Sequence, residues 1–117
     1  MKARWLLLIS AILAWLIGLM LLFNARGFEA PVGIDVNDKV ATIAQAQGAI
    51  LIGVGVINFM ARSITETRAL VAILAGNLVI QLLSLAVAGR ALVLHILPLQ
   101  GAPAVVIHIV LGAAFAL

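Results

Sequence analysis

The chain has 117 residues, of which 66% are hydrophobic and only 9% carry a formal charge. Soluble domains carry about a quarter charged residues, so this composition excludes a water-soluble globular domain and indicates a membrane protein. Seven Lys and Arg residues outnumber four acids, but they are scattered singly or in pairs, which excludes the basic patch of a nucleic-acid-binding protein. The absence of cysteine also excludes disulfides, thiol redox chemistry and thiolate metal sites.

Four uncharged stretches follow one another along the chain, and each predicts a transmembrane helix, because about 20 apolar residues cross about 30 Å of hydrocarbon. They predict an all-α, polytopic membrane protein, with a four-helix up-down bundle that forms a single transmembrane domain over 1–117. The predicted helices cover approximately 5–23, 39–61, 64–88 and 102–117. Because the last helix is short and no basic anchor follows it, we expect the natural chain to continue past Leu117.

The first predicted helix opens with Arg4 and Trp5, a basic and an aromatic residue typical of anchors at the membrane interface. Its apolar run is longer than that of a secretory signal peptide and no small-x-small cleavage pattern follows, so we expect it to be retained. Ser10, Ala14 and Gly18 share one face of this helix, which favours close packing against another helix.

The polar segment between the first two helices, residues 24–39, is expected to face the exterior or periplasm. Asp38, next to its last residue, is expected to be the N-cap of the second helix. A calcium loop would need acids at alternating positions and a later glutamate, and the segment lacks that pattern.

The second helix, which carries QAQGAILIGVGVIN, is expected to have two faces that point in opposite directions. Gln45, Gly48 and Gly55 lie on one face, where the glycines let another backbone come close. Gln47 and Asn58 are expected on the other face, directed at a second set of partners. A helix with two faces turned away from lipid lies centrally in a bundle or against a second subunit. We therefore expect this helix to be the centre of assembly, and Gly55→Leu to abolish assembly before insertion.

Residues at both ends of the third helix predict its limits. Ser63 and Glu66 have the S-x-x-E spacing of a capping box, in which Ser63 is the N-cap. Gly89 is expected to end the helix, and Arg90 to follow it as an interfacial anchor.

Basic residues predict the orientation of the chain in the membrane. Four of them lie on the predicted side of the membrane that holds both chain termini and the connection between the second and third helices. The other three lie on the opposite side. The first group is Lys2, Arg4, Arg62 and Arg68, and the second is Arg26, Lys39 and Arg90. The positive-inside rule therefore predicts that both termini lie in the cytoplasm. The membrane is expected to be the inner (plasma) membrane. Arg62 and Arg68, like Arg4, are expected to be interfacial anchors.

The last two helices carry further polar residues at membrane depth. Asn77, Gln81 and Ser84 share one face of the third helix. His108 and Gly112 lie one turn apart on the fourth helix. That helix is expected to follow a break in the chain, with Pro103 in its first turn. The polar residues either bond across helices and fix the register of packing, or line a cavity or pore for a small polar solute.

No candidate chemistry emerges from these residues. The four uncharged stretches place no acid at membrane depth, which argues against a proton- or cation-coupled transporter. His95 and His108 are 13 residues apart, about 20 Å on a continuous helix, so one helix cannot present both to a metal or haem. Carboxylate pairs, nucleophile motifs and phosphate-binding loops are missing from the sequence. We therefore expect a protein without enzymatic activity, metal or cofactor.

Three functions fit these residues. The first is an integral membrane protein that acts through helix contacts, as a homo-oligomer or as an accessory subunit with other membrane subunits. The second is a small channel or carrier whose path runs along Asn77, Gln81 and Ser84. The third is a protein that binds a lipid, quinone or pigment between its helices.

Short motifs on three of the helices resemble the small, four-helix bacterial membrane proteins grouped as DoxX-like. They are AQGAILIGVG on the second helix, Gly89-Arg90 at the end of the third and Gly101-Ala102-Pro103 before the fourth. The resemblance implies a fold of four helices with both ends inside. Some DoxX relatives are linked to quinone or thiol redox systems, and this chain has no thiol with which to share the latter.

Overall fold

The computed structural model describes residues 2–116, and that part of the chain is helical and contains no strand. Its helices are α1 (Lys2–Phe23), α2 (Ala25–Glu29), α3 (Asp38–Ala61), α4 (Thr67–Val93) and α5 (Ala102–Ala116), with single turns of 3-10 helix at Ala30–Val32 and Leu99–Gly101. By length and composition, α1, α3, α4 and the continuous stretch Leu99–Ala116 could each cross a membrane. This confirms an all-helical chain with four long apolar helices.

The chain divides between Ser63 and Ile64 into two compact units. In the first unit α1 packs along α3, and α2 contacts both. Ser10, near the start of α1, contacts Asn58 near the end of α3, and Gly18, further along α1, faces Gly48, earlier in α3. The two helices are therefore antiparallel. In the second unit α4 packs along α5.

Asparagines are the N-caps of α2 and α3, at Asn24 and Asn37. The prediction of Asp38 as the N-cap of α3 is therefore wrong by one residue. Asn37 has an extended backbone, and its side-chain oxygen accepts the Val40 N–H at 2.9 Å. Asp38 is instead the first helical residue, and its carboxylate pairs with Arg26 of α2 at 3.1 Å. An acid in the first turn still favours the helix through the helix dipole.

Glu66 is the N-cap of α4, so the predicted capping box is also wrong. Its carboxylate oxygens accept the N–H groups of Arg68 at 2.9 Å and Ala69 at 2.6 Å. A carboxylate satisfies two of the unpaired donors at a helix start, whereas a serine oxygen reaches one. Ser63 lies outside the helix and donates its hydroxyl to the Met60 carbonyl at 3.2 Å.

The end of α4 lies beyond the predicted stop at Gly89. That glycine keeps a helical backbone, and Arg90 lies inside the last turn instead of after the helix. The chain leaves the helix at His95, whose φ is 56°. His95 N–H donates to the Leu92 carbonyl at 3.1 Å and Ile96 N–H to the Ala91 carbonyl at 2.9 Å. These two bonds form a Schellman motif, with a histidine at the left-handed position that glycine usually occupies.

The break before α5 matches the sequence prediction. The 3-10 turn Leu99–Gly101 follows Pro98, and α5 begins at Ala102 with Pro103 in its first turn. Proline lacks the N–H that a helix start leaves unpaired, which explains its place there.

Candidate functional site: polar and glycine contacts between helices

The backbones of α1 and α3 touch at a pair of glycines. A Cβ added to Gly48 would lie 2.6 Å from the Gly18 carbonyl oxygen and 2.8 Å from the Leu22 nitrogen. A Cβ added to Gly18 would lie 2.9 Å from the Gly48 carbonyl oxygen. Real Cβ atoms do not approach backbone atoms so closely, so only glycine at both positions permits this crossing.

Gly55 accommodates a tryptophan ring from α1. A Cβ at Gly55 would lie 2.5 Å from the Cδ1 and Nε1 atoms of Trp15. The indole N–H of Trp15 donates to the Ile52 carbonyl oxygen of α3 at 3.2 Å. The same ring lies 5.3 Å from the Phe59 ring, centroid to centroid. Trp15 therefore combines ring packing with an interhelical hydrogen bond.

Ser10 and Asn58 form a hydrogen-bonded pair inside the first unit. Asn58 is 1% exposed and Ser10 is 6% exposed. The Asn58 Nδ2 donates to the Ser10 hydroxyl at 3.1 Å, and that hydroxyl donates to the Leu7 carbonyl at 3.0 Å. This chain of bonds joins the two helices in apolar surroundings, where an unpaired amide would cost several kcal/mol.

These contacts correct the predicted division of α3 into two opposite faces. Gly48, Gly55 and Asn58 are all buried, and contacts of all three reach α1. At about 100° per residue, Asn58 lies only about 60° around the helix from Gly55, so the two arcs adjoin and form one face. Gln45 and Gln47 lie on either side of that face, and both are exposed.

The surface of α3 at Gly48 and Gly55 is therefore occupied by α1 of the same chain, so these glycines pack within the chain. That α3 is the centre of assembly stays a prediction. A substitution at Gly55 displaces Trp15 first.

In the second unit, a histidine and a glutamine join α5 to α4. His108 Nδ1 lies 2.7 Å from Gln81 Oε1, and both side chains are half-buried. A Cβ added to Gly112 would meet the Gln81 Cβ at 3.5 Å, which is ordinary van der Waals contact. Alanine would fit there, so Gly112 is not needed for a close approach in the way that Gly48 is.

Asn77 and Ser84 lie on the same side of α4 as Gln81. Asn77 is 6% exposed, and its Nδ2 donates to the Ile73 carbonyl one turn earlier at 2.9 Å. Of the predicted polar face of this helix, Gln81 contacts α5, while Asn77 is buried and Ser84 is half-buried.

The predicted interfacial anchors differ in how far they are engaged. Arg4, Arg68 and Arg90 are exposed, and Trp5 is 59% exposed. The Arg62 guanidinium lies 3.6 Å from the centroid of the Phe59 ring and donates to the carbonyl of the same residue. Arg62 therefore packs over the end of α3, and its role as an interfacial anchor stays a prediction.

Two features outside the predicted set lie near the ends of the long helices. Glu29 of α2 is half-buried, and that burial raises the pKa of its carboxyl above the ordinary value. After α4, an open cavity of about 410 Å³ is lined by Leu92, His95, Ile96, Leu97, Pro98 and Leu99. The exposed apolar lining gives this cavity few polar groups with which to orient a ligand.

Sequence reasoning missed Trp15 and the pairing of Ser10 with Asn58. An indole N–H in the middle of a long apolar helix needs an acceptor, and this requirement is the signal that could have drawn attention to Trp15. For Asn58, the signal was the small angle to Gly55.

The described residues contain no group of three or more His, Cys, Asp and Glu side chains that could hold a metal ion. No protein-family model, curated protein or solved structure matches the chain significantly. The arrangement is suited to holding helices together: glycine crossings, one indole hydrogen bond and amide or imidazole pairs in apolar surroundings.

Proposed function

We propose that this chain is a multi-pass integral membrane protein without enzymatic activity that acts through helix contacts, as a homo-oligomer or as an accessory subunit of a larger membrane complex. Four helices of sufficient length and hydropathy support the multi-pass description. The proposal includes a single up-down bundle, both termini in the cytoplasm and a place in the inner membrane, on the strength of the basic residues at the predicted helix ends.

The observation that carries the proposal is the pair of exposed amides on α3. Gln45 and Gln47 lie about 10 and 13 Å along the helix from Asp38, which is membrane depth for a helix that spans the bilayer. Both flank the face that α1 covers, and both are exposed. An amide that faces lipid tails loses its hydrogen bonds to water, so a protein surface with polar groups is the favourable neighbour.

The resemblance to DoxX-like proteins agrees with this proposal at the level of four helices with both ends inside. It adds no residue-level chemistry. Packing against α1 explains Gly48 and Gly55 of the AQGAILIGVG motif, whereas a Cβ at Gly53 would meet no atom within 4 Å.

Native mass spectrometry after extraction in a mild detergent tests the proposal. The unaltered chain is expected as a homo-oligomer or with a bound membrane subunit. A chain with Gln45→Leu and Gln47→Leu is expected to shift towards the free monomer. Ala46→Leu is the matched control, because Ala46 is exposed at the same depth on the side away from α1. An unaltered chain that is strictly monomeric and free of partners would contradict the proposal.

A small channel or carrier is the second candidate, and the line of polar residues on α4 favours it. Asn77, Gln81 and Ser84 share a face, and His108 approaches this face from α5. Flux of polar solutes through proteoliposomes is expected to fall in protein with Asn77→Leu and Gln81→Leu. Unchanged flux in that protein would refute this candidate.

A further inference from the structure

The Gln81–His108 pair lies deep in the predicted membrane region. Gln81 is about 21 Å along α4 from Thr67, and His108 is about 9 Å along α5 from Ala102. The Nδ1 and Oε1 atoms are 2.7 Å apart, a short contact for a hydrogen bond between two helices. An ionisable side chain at this depth is a candidate functional group, and here its partner is known.

The pair keeps at least one hydrogen-bond donor and at least one acceptor whichever way its protons are assigned. If Gln81 Oε1 faces the imidazole, the ring carries its proton on Nδ1, so the Nε2 lone pair and the amide NH₂ remain. If the amide is turned the other way, its oxygen and an Nε2–H remain. In both assignments, a free donor on one side chain lies next to a free acceptor on the other.

The remaining polar atoms are open to the surroundings. Both side chains are only half-buried. Among the described residues, no buried side-chain nitrogen or oxygen lacks a hydrogen-bond partner. The second donor and acceptor of the pair are therefore not sealed inside the unit, and hydrocarbon at this depth would leave them unsatisfied at a cost.

We propose that the seam between α4 and α5 at Gln81 and His108 binds a lipid-soluble molecule through a hydroxyl group, as an alcohol or a phenol with an apolar tail. A hydroxyl donates one hydrogen bond and accepts others, which matches the donor and acceptor that the pair leaves. It is also uncharged, whereas a carboxylate or phosphate would carry a charge into hydrocarbon. The apolar tail would lie in the lipid hydrocarbon, beside the exposed apolar side chains of the two helices. Both residues of the pair belong to the second unit.

Imidazole ¹⁵N NMR of histidine-labelled protein in lipid nanodiscs tests this site. The probes are 4-nonylphenol and 1-decanol, which separate a phenol from an alcohol as the source of the hydroxyl. The matched control compounds are 4-nonylanisole, which keeps an oxygen acceptor but has no donor, and decane. His95 is exposed and is the second histidine of the chain, so it serves as an internal reference.

At least one hydroxyl probe is expected to shift the His108 Nε2 resonance in a saturable manner, while His95 and decane give no such shift and 4-nonylanisole, which can accept but not donate, gives a smaller one. Gln81→Leu removes the partner of the imidazole and is expected to weaken binding about tenfold, as loss of one hydrogen bond does. Val79→Leu, at an exposed position on the same helix, is the control and should bind as the unaltered chain does.

Three results would overturn the site: a His108 resonance that neither hydroxyl probe moves, an equal shift with 4-nonylanisole, or a parallel shift of His95. The probe series uses the unaltered chain, so it decides the question even if the Gln81→Leu protein fails to fold.

Discussion

Replacing Gly48 by alanine is the sharpest test of the contact between α1 and α3. The added Cβ would lie 2.6 Å from the Gly18 carbonyl oxygen and 2.8 Å from the Leu22 nitrogen. Both are backbone atoms that no rotamer change can move, so the helices must separate by roughly 0.8 Å to restore ordinary contact. Overpacking of this kind costs about 1–3 kcal/mol. We expect Gly48→Ala to lower the free energy of unfolding by that amount.

The matched control for this substitution is Gly53→Ala on the same helix. A Cβ at Gly53 meets no atom within 4 Å, so alanine should leave stability unchanged or raise it slightly through its better helix propensity. Unfolding in mixed detergent–SDS micelles, followed by helix circular dichroism and tryptophan fluorescence, measures the difference. If Gly48→Ala protein is as stable as Gly53→Ala protein, the helices do not cross at these glycines.

Three further predictions concern other contacts. A double-mutant cycle with Ser10→Ala and Asn58→Leu should give a coupling energy of about 0.5–1.5 kcal/mol, and additive effects in the unfolding assay would argue against their hydrogen bond. His95→Gly should raise the free energy of unfolding by about 1 kcal/mol, because glycine adopts the left-handed conformation without strain; a loss of stability in the same assay would show that the imidazole has a stabilising contact. Burial raises the pKa of Glu29, so the folded chain holds that proton more tightly and stability should fall as pH rises from the ordinary glutamate pKa through the raised one. Glu29→Gln should remove this pH dependence, and a slope that persists in that variant would assign it to another group.

Composition and periodicity carried much of the fold. Runs of uncharged residues located four long helices, because the length needed to cross hydrocarbon is fixed. Pro103 located the start of α5 to the residue. These features depend on local chain chemistry, which a sequence shows directly.

The helix ends were harder to predict, because several polar residues compete to cap each one. Asn37 and Asp38 are both good N-caps, and Ser63 and Glu66 each offer an oxygen. The choice depends on backbone angles that the neighbouring loop sets. At the end of α4, a histidine took the position that glycine usually fills, and composition gives no sign of that.

The partner of each polar face was also beyond the sequence. Gly48 and Gly55 were recognised as a surface for close packing, yet nothing in the helix itself indicates whether α1 or a second subunit fills it. Trp15 decides the matter, since its ring occupies the notch at Gly55 and its indole N–H bonds to α3. A contact between residues far apart in the chain depends on tertiary packing, which helix periodicity does not contain.

Site-directed crosslinking in native membranes tests the central claim, that polar flanks of α3 meet another protein chain, most directly. The chain has no cysteine, so Gln45→Cys, Ala46→Cys and Gln47→Cys each introduce a single thiol at nearly the same depth. With a short bis-maleimide, or with a thiol-to-amine crosslinker for a cysteine-free partner, Gln45→Cys or Gln47→Cys is expected to give a product of higher mass, and Ala46→Cys little or none. Chains that stay monomeric at all three positions, or that crosslink equally at Ala46→Cys, would contradict the account.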